Sequence, residues 1–369
     1  MTFPLGPYHP ALTEPVSLRF ALRGELVTGV EMHTGYLRRG VPALATQRDL
    51  AGALDLVERM CGTCGHSHRL AMCLALEQAA QVTPPPRAQA LRMMFAEVER
   101  ALARLWLLME VGRVSDFGAL FNLALEAREM IFEGCVAATE ARLFWGIPVP
   151  GGAVNVADPG ALADAMSDVT SRLMILERQM ADSGSLASRM ANIGKIQKAT
   201  AEELGLTGLL LRASGGDADV RLSAPYENYL QHTDTLTTTD PLARHLVGDV
   251  MSRVRLALAE LRLSLRLIQE ILDDLPEGQE RATFPSMISP VEANATVEGP
   301  HGSETVTLTL GANVNGGQRA DLDRPGWLQA LSLQTPSTKN INILPIVLNK
   351  QMLGDEPIVY ASLGLCLAC

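Results

Sequence analysis

Between residues 16 and 30 apolar and polar side chains mix around a turn at Arg23-Gly24-Glu25, the pattern of a β-hairpin. From about Arg48 the apolar positions recur at helical spacing, first over 50–60 and again over 69–80. The segment Cys61-Gly62-Thr63-Cys64 therefore falls in a corner between two helices. Pro84-Pro85-Pro86 interrupts the chain before 88–111, a long segment with arginines set among its apolar positions, which predicts the central helix of a bundle. Helical spacing continues over 115–145, 158–193 and 241–275, and Pro148-Val149-Pro150-Gly151-Gly152 makes a sharp loop between the first two. Further on, 305–310 alternates Thr with Val or Leu as a strand does, and 321–332 reads as a short helix before a proline-marked tail. The predicted class is mainly α (α+β), a central long-helix bundle with small peripheral β-sheets in the N- and C-terminal parts. With no internal repeat, low-complexity stretch or linker, residues 1–369 read as a single domain. Its parts are a β element at about 16–36, a helical core at about 48–275 and a segment at about 285–369 that carries β structure and a second cysteine pair.

Composition narrows the partners. Hydrophobic residues make up 47% of the chain, ample for a substantial core. A net charge of -10 without any lysine or arginine cluster argues against a nucleic-acid surface. No stretch approaches the roughly 18 uninterrupted apolar residues that span a bilayer. Met1 to Pro15 has neither a basic start nor an apolar run, so no signal peptide is read and a reducing cytosol is expected. In that setting two C-x-x-C pairs, Cys61/Cys64 and Cys366/Cys369, point to a metal rather than to disulfides. Gly62, Gly65 and Gly364 free the backbone around them, which suits four thiolates converging on one soft ion. A redox dithiol, or a structural zinc site joining the ends of the chain, is the plainer alternative. Cys73 and Cys135 lie in helical patterns without metal spacing and read as buried small hydrophobes.

The motif Arg59-x-Cys61-Gly62-x-Cys64-x-x-x-His68, together with Cys366-x-x-Cys369, resembles the two metal motifs of nickel-iron hydrogenase large subunits. The resemblance extends through Gly6-Pro7-x-His9-Pro10-Ala11-Leu12-x-Glu14-Pro15, Gly35-Tyr36-x-x-Arg39-Gly40, Ala127-Arg128-Glu129, Pro150-Gly151-Gly152, Arg212-Ala213-Ser214-Gly215, Asp219-Val220-Arg221 and Pro225-Tyr226. These segments are similar to the membrane-associated, energy-converting hydrogenases related to respiratory complex I, and the direct start at Gly-Pro-x-His-Pro is nearest the ferredoxin-linked and carbon-monoxide-linked types. The resemblance implies a complex I-like fold and a nickel-iron centre whose iron carries carbon monoxide and cyanide. Cys61 and Cys366 would be terminal nickel ligands, and Cys64 and Cys369 would bridge the metals. Cys366 would accept a proton and Glu14 would carry it outward. His68 would reach back to a bridging sulfur from the helix after Cys64. Arg59 would hold charge and geometry near the anionic cluster, against the plain alternative of a surface salt bridge. His66 receives no role, and His9 and Tyr36 are read as structural.

Implied partners are a small subunit with a 4Fe-4S cluster, a ferredoxin-like electron-transfer subunit, antiporter-like membrane subunits and maturation proteins. The iron-sulfur clusters would lie in those partners, and the chain would sit in the cytoplasm, peripheral on the inner face of the cell membrane. The sequence also departs from the family. Gly364-Leu365 replaces an Asp-Pro before the second pair, removing a carboxylate that stands over the metals. Gln334-Thr335-Pro336 replaces Arg-Thr-Pro, and Arg38 stands where the family has histidine. Nothing follows Cys369, whereas family precursors carry a tail that is trimmed after metal loading. Three function classes follow: a hydrogenase catalytic subunit, a metal-free quinone-reductase subunit of complex I type, and a non-catalytic sensor or scaffold.

Overall fold

A computed structural model describes residues 1–154, 156–311 and 319–369, so residues 312–318 of the predicted C-terminal segment lie outside the described residues. The N-terminal alternation forms strands Ser17–Arg23 and Leu26–His33, joined at Gly24, with Thr2–Leu5 added along the first of them to make an antiparallel sheet. Leu18, Phe20 and Val27 face inward and are buried, each worth roughly 2 kcal/mol of stability. The predicted corner is present: Leu50–Glu58 and Gly65–Ala80 are helices, and the first cysteine pair lies between them.

The central helix runs from Pro86 to Val114 and is buried along nearly its whole length. Its charged residues do not mark a solvent face. Arg92 pairs with Glu77 at 3.0 Å, Arg100 with Glu97 at 3.3 Å and Arg104 with Glu260 at 2.6 Å, all in the interior. Around it pack Gly118–Thr139, Ala161–Asp182 and Val250–Asp273.

Three helical patterns were longer than the helices that form. Glu140 takes a left-handed φ of 59° and ends one helix. Ser183 separates Ala161–Asp182 from Gly184–Met190 and accepts from Leu186 N. The pattern over 241–275 yields only a 3-10 turn at Pro241–Ala243 before the helix itself, which begins where the Asp249 carboxylate accepts from Ser252 N at 2.8 Å.

The second sheet is antiparallel, in the order Leu328–Gln334, Gly302–Leu310, Val291–Gly299. Val306, Leu308 and Leu310 point into the core while the threonines between them alternate outward. The short helix expected over 321–332 is not there. Leu328–Gln334 pairs as an edge strand with Leu331 opposite Leu308, because a free sheet edge and the buried Trp327, bonded to Arg48 O at 3.0 Å, outweigh local helical spacing. The Asp321 end of that segment belongs to a two-residue strand, Ala320–Asp321, paired with Met287–Ile288. Among the described residues no helix is long and apolar enough to cross a membrane.

Candidate metal centre

Cys61 and Cys64 lie at the corner before the helix Gly65–Ala80, with Cys64 in the cap position. Cys64 gives that helix no side-chain cap. Glu99, on the central helix, does so instead, accepting from His66 N at 2.7 Å and Ser67 N at 3.1 Å. The other pair arrives on the segment after the helix Glu356–Leu363, which ends at Gly364 in a left-handed conformation with φ 56°. A side chain there would press on Leu107 Cδ1 at 2.9 Å, so glycine permits both the turn and the close approach.

The four sulfurs converge. Cys61 Sγ lies 3.1 Å from Cys366 Sγ across 305 residues of sequence, and Cys366 Sγ lies 4.0 Å from Cys369 Sγ. None of the four is in a disulfide, and Cys61, Cys64 and Cys366 are each only 3% exposed. Three groups have all their donor atoms within 4.8 Å of one another: Cys61, Cys64 and His68; Cys61, Cys366 and Cys369; Cys64, His301 and Cys366. A pocket of four thiols with two imidazoles beside them fits a soft transition metal by donor type. The thiols titrate as a set. Bonding to Cys366 holds Cys61 and Cys369 well below the usual thiol range, and the same contact pushes Cys64 well above it.

His68 is fully buried and its Nδ1 bonds Glu304. Burial opposes a charged ring, but Glu304 and the sulfurs of Cys369 and Cys61 outweigh it and hold the His68 proton well above the usual range. Burial raises the Glu304 carboxyl too, against the lowering influence of the His68 ring. The other ring nitrogen, Nε2, has no hydrogen-bond partner within the described residues, while the ring lies within reach of Cys61 and Cys64. Glu14 accepts from Leu367 N, beside Cys366, and burial raises its carboxyl to about 7. It lines a cavity of about 100 Å³ together with Thr13, Thr63, Arg104, His301 and Cys366.

Arg59 is placed elsewhere. Its guanidinium pairs with Asp55 at 3.2 Å and stacks over Trp145 at 4.8 Å, with the side chain 45% exposed, so the expected contact with the cluster is replaced by the surface salt bridge. The cation that does bind the cysteine segments is Arg39, whose Nη2 donates to Met60 O and, at 3.5 Å, to Ala368 O. Sequence reasoning also missed Thr63, His301 and Glu304. Thr63 Oγ1 lies 3.1 Å from Cys61 Sγ and 3.4 Å from His301 Nε2. His301 sits in the hairpin turn between Val291–Gly299 and Gly302–Leu310. Arg100 donates to Gly299 O at 2.9 Å, Arg104 to Pro300 O at 2.6 Å and Asn340 to His301 O at 3.2 Å, which clamps the turn over the sulfurs. Only the Gly-Pro-His-Gly turn flanked by alternating strands could have drawn attention to it.

The family described as respiratory-chain NADH dehydrogenase, 49 kDa subunit, matches residues 116–369, and nickel-dependent hydrogenase matches residues 39–102. The chain is 31% identical to a carbon monoxide-induced hydrogenase of Rhodospirillum rubrum over 376 residues, covering 100% of this chain and 98% of that protein. It is 27% identical to the alpha component of the membrane-bound hydrogenase of Pyrococcus furiosus, covering 99% and 86%. It is 32% identical to a component of the NADH-quinone oxidoreductase of Rhizobium etli, covering 78% and 70%. Among solved structures, a chain of the membrane-bound sulfane sulfur reductase, an archaeal respiratory membrane complex, superposes with a TM-score of 0.87 at 25% identity, covering 100% of this chain and 97% of that one.

Proposed function

Because this chain belongs to the nickel-iron hydrogenase large subunit family, in the branch related to the 49 kDa subunit of respiratory complex I, we propose that it is the catalytic subunit of a hydrogenase. The reaction is the reversible oxidation of dihydrogen, coupled to a ferredoxin-type carrier within a membrane-associated complex. One observation carries the reading: four cysteine sulfurs from two distant segments meet in a buried pocket with His68 and His301 beside them. A metal-free quinone-reductase subunit would have no use for that set.

Cys61, Cys64, Cys366 and Cys369 would together hold a nickel-iron centre whose iron carries carbon monoxide and cyanide. When bound, that centre supplies the heterolytic splitting of dihydrogen. The chain's own residues handle the proton. Cys366 Sγ is the base beside the cavity, and Glu14, hydrogen-bonded to the adjoining Leu367 N, receives the proton with an affinity matched to neutral pH. Glu304 fixes the His68 ring against the sulfurs. Electrons pass to a small subunit with a 4Fe-4S cluster and then to a ferredoxin-like subunit. Antiporter-like membrane subunits would hold the chain at the inner face of the membrane, and maturation proteins would install the metals.

The test is the nickel and iron content of the protein isolated with its partner subunit, combined with hydrogen-deuterium exchange between dihydrogen and water. About one nickel per chain with exchange activity supports the reading. Absence of nickel favours the quinone-reductase class. Metal without exchange favours a sensor or scaffold, a reading that the carboxylate-free Gly364-Leu365 approach supports.

A further inference from the structure

The imidazole of His301 meets both cysteine-bearing segments. Its Nε2 lies 3.4 Å from Thr63 Oγ1, inside the first C-x-x-C pair, and the ring also bonds the carbonyl of Gly364, just ahead of Cys366. With the sulfurs of Cys64 and Cys366 the ring forms a group whose donor atoms all lie within 4.8 Å of one another. Thr63 is itself tied to the first pair: its N–H donates to Cys61 Sγ at 3.3 Å, and its hydroxyl lies 3.1 Å from that sulfur. The backbone that carries His301 is fixed by contacts in which no cysteine takes part. Arg100, Arg104 and Asn340 donate to the carbonyls of Gly299, Pro300 and His301. The next residue, Gly302, has φ 132°, and a Cβ there would meet Gly208 N at 2.7 Å, so the turn is packed backbone against backbone. A ring on so constrained an element is positioned by the fold rather than by what it touches.

We propose that His301 is a positioning residue for the metal, a strut that sets the spacing of the two cysteine pairs through Thr63 on one side and Gly364 on the other. A carbonyl only accepts, so the ring N–H is donated to Gly364 O, and Nε2 is left to accept the Thr63 hydroxyl proton. With both ring nitrogens engaged, His301 supports the sulfurs and offers no lone pair to the metal, which leaves ligation to the four cysteines. Those sulfurs come from stretches 305 residues apart in sequence, and the hairpin turn is a third element against which both are registered. Groups that hold ligands rather than the metal itself typically change metal affinity by about 10–100-fold. The inference rests on the metal-holding part of the hydrogenase reading and not on the reaction.

The experiment compares wild type with Thr63→Val, His301→Leu, His301→Gln and the double variant Thr63→Val/His301→Leu, each isolated with its partner subunit. Two quantities are read: the native nickel content, and the rate at which a chelator strips cobalt(II) from protein reloaded with that ion, followed by its sulfur-to-metal absorption band. The expected result is release roughly tenfold or more faster in Thr63→Val and His301→Leu, with no further gain in the double variant. His301→Gln, whose amide keeps an acceptor near the place of Nε2, should recover part of the difference, which a loss of packing would not allow. Release from Thr63→Val equal to wild type would overturn the strut, and rapid release from His301→Leu beside it would make the ring a ligand instead. Native nickel with equal release in all the proteins would overturn the strut and keep the hydrogenase reading. A wild type without native nickel that still holds cobalt(II) more tightly than the variants would do the reverse, and a wild type that binds neither ion would overturn both.

Discussion

Replacing Glu260 by Gln tests whether the buried charges around the central helix support the metal pocket. Glu260 accepts from Arg104 Nε at 2.6 Å and Arg212 Nε at 2.8 Å. Arg212 would keep Glu298 at 2.7 Å and Asp219 at 3.5 Å, but Arg104, its side chain 2% exposed, would keep only Pro300 O among the described residues. Breaking one side of a buried pair costs about 3–5 kcal/mol, because a desolvated charge is left behind. The carboxyl itself gives a consistent figure. Burial alone would raise it, yet Arg104 and Arg212 hold it at about 2, and a fall of that size from 4.5 corresponds to about 3 kcal/mol. Since the folded value is depressed, this stabilisation is complete above about pH 4.5 and fades as pH falls toward 2. Urea denaturation of Glu260→Gln should therefore show a loss of about 3–5 kcal/mol at pH 7, shrinking toward pH 3, and Arg104→Met added to it should recover part of the loss. A loss below about 1 kcal/mol at pH 7 would refute the reasoning. Nickel retention should fall in step, since Arg104 also clamps the turn that carries His301.

Cys64→Ser should abolish nickel binding while Cys73→Ser leaves it unchanged, because burial pushes the Cys73 thiol up to about 12 and keeps it neutral; elemental analysis of the two proteins decides. Glu14→Gln should leave the metals bound and slow isotope exchange, and unchanged exchange would remove Glu14 from the path. Gly364→Ala forces an L side chain into the left-handed region against Leu107, so a loss of about 1–2 kcal/mol in denaturation together with reduced nickel is expected. Glu356 is raised from 4.5 to about 7, so the folded protein binds its proton more tightly and loses stability as pH climbs through that interval. Thermal melts of Glu356→Gln at pH 5 and pH 8 should accordingly show a smaller difference than wild type.

Much of the site was legible because its residues are local to two short motifs. C-x-x-C spacing with flanking glycines, and a histidine one turn into the following helix, are visible without tertiary information. Glu304 and His301 were not, since they reach the pocket through a hairpin more than two hundred residues further along, and nothing near them in sequence signals a metal. The Arg59 expectation failed for a related reason. A cation close in sequence was preferred, whereas Arg39 reaches both cysteine segments from a separate loop. On the fold side, the long helices followed from apolar spacing, but Arg92 and Arg104 of Pro86–Val114 belong to interior pairs whose acids lie on other elements. The strand Leu328–Gln334 depended on an open sheet edge, which no window of its own residues reveals.

The contact between Cys61 and Cys366 spans 305 residues, so the pocket is a seam between distant stretches of one polypeptide. During synthesis the first half of the donor set stays incomplete until nearly the whole helical body has been made. Metal insertion would thereby be a late event, and a metal held across the seam would act as a latch between the two distant segments. The assembled centre would report that the rest of the chain has reached its folded arrangement.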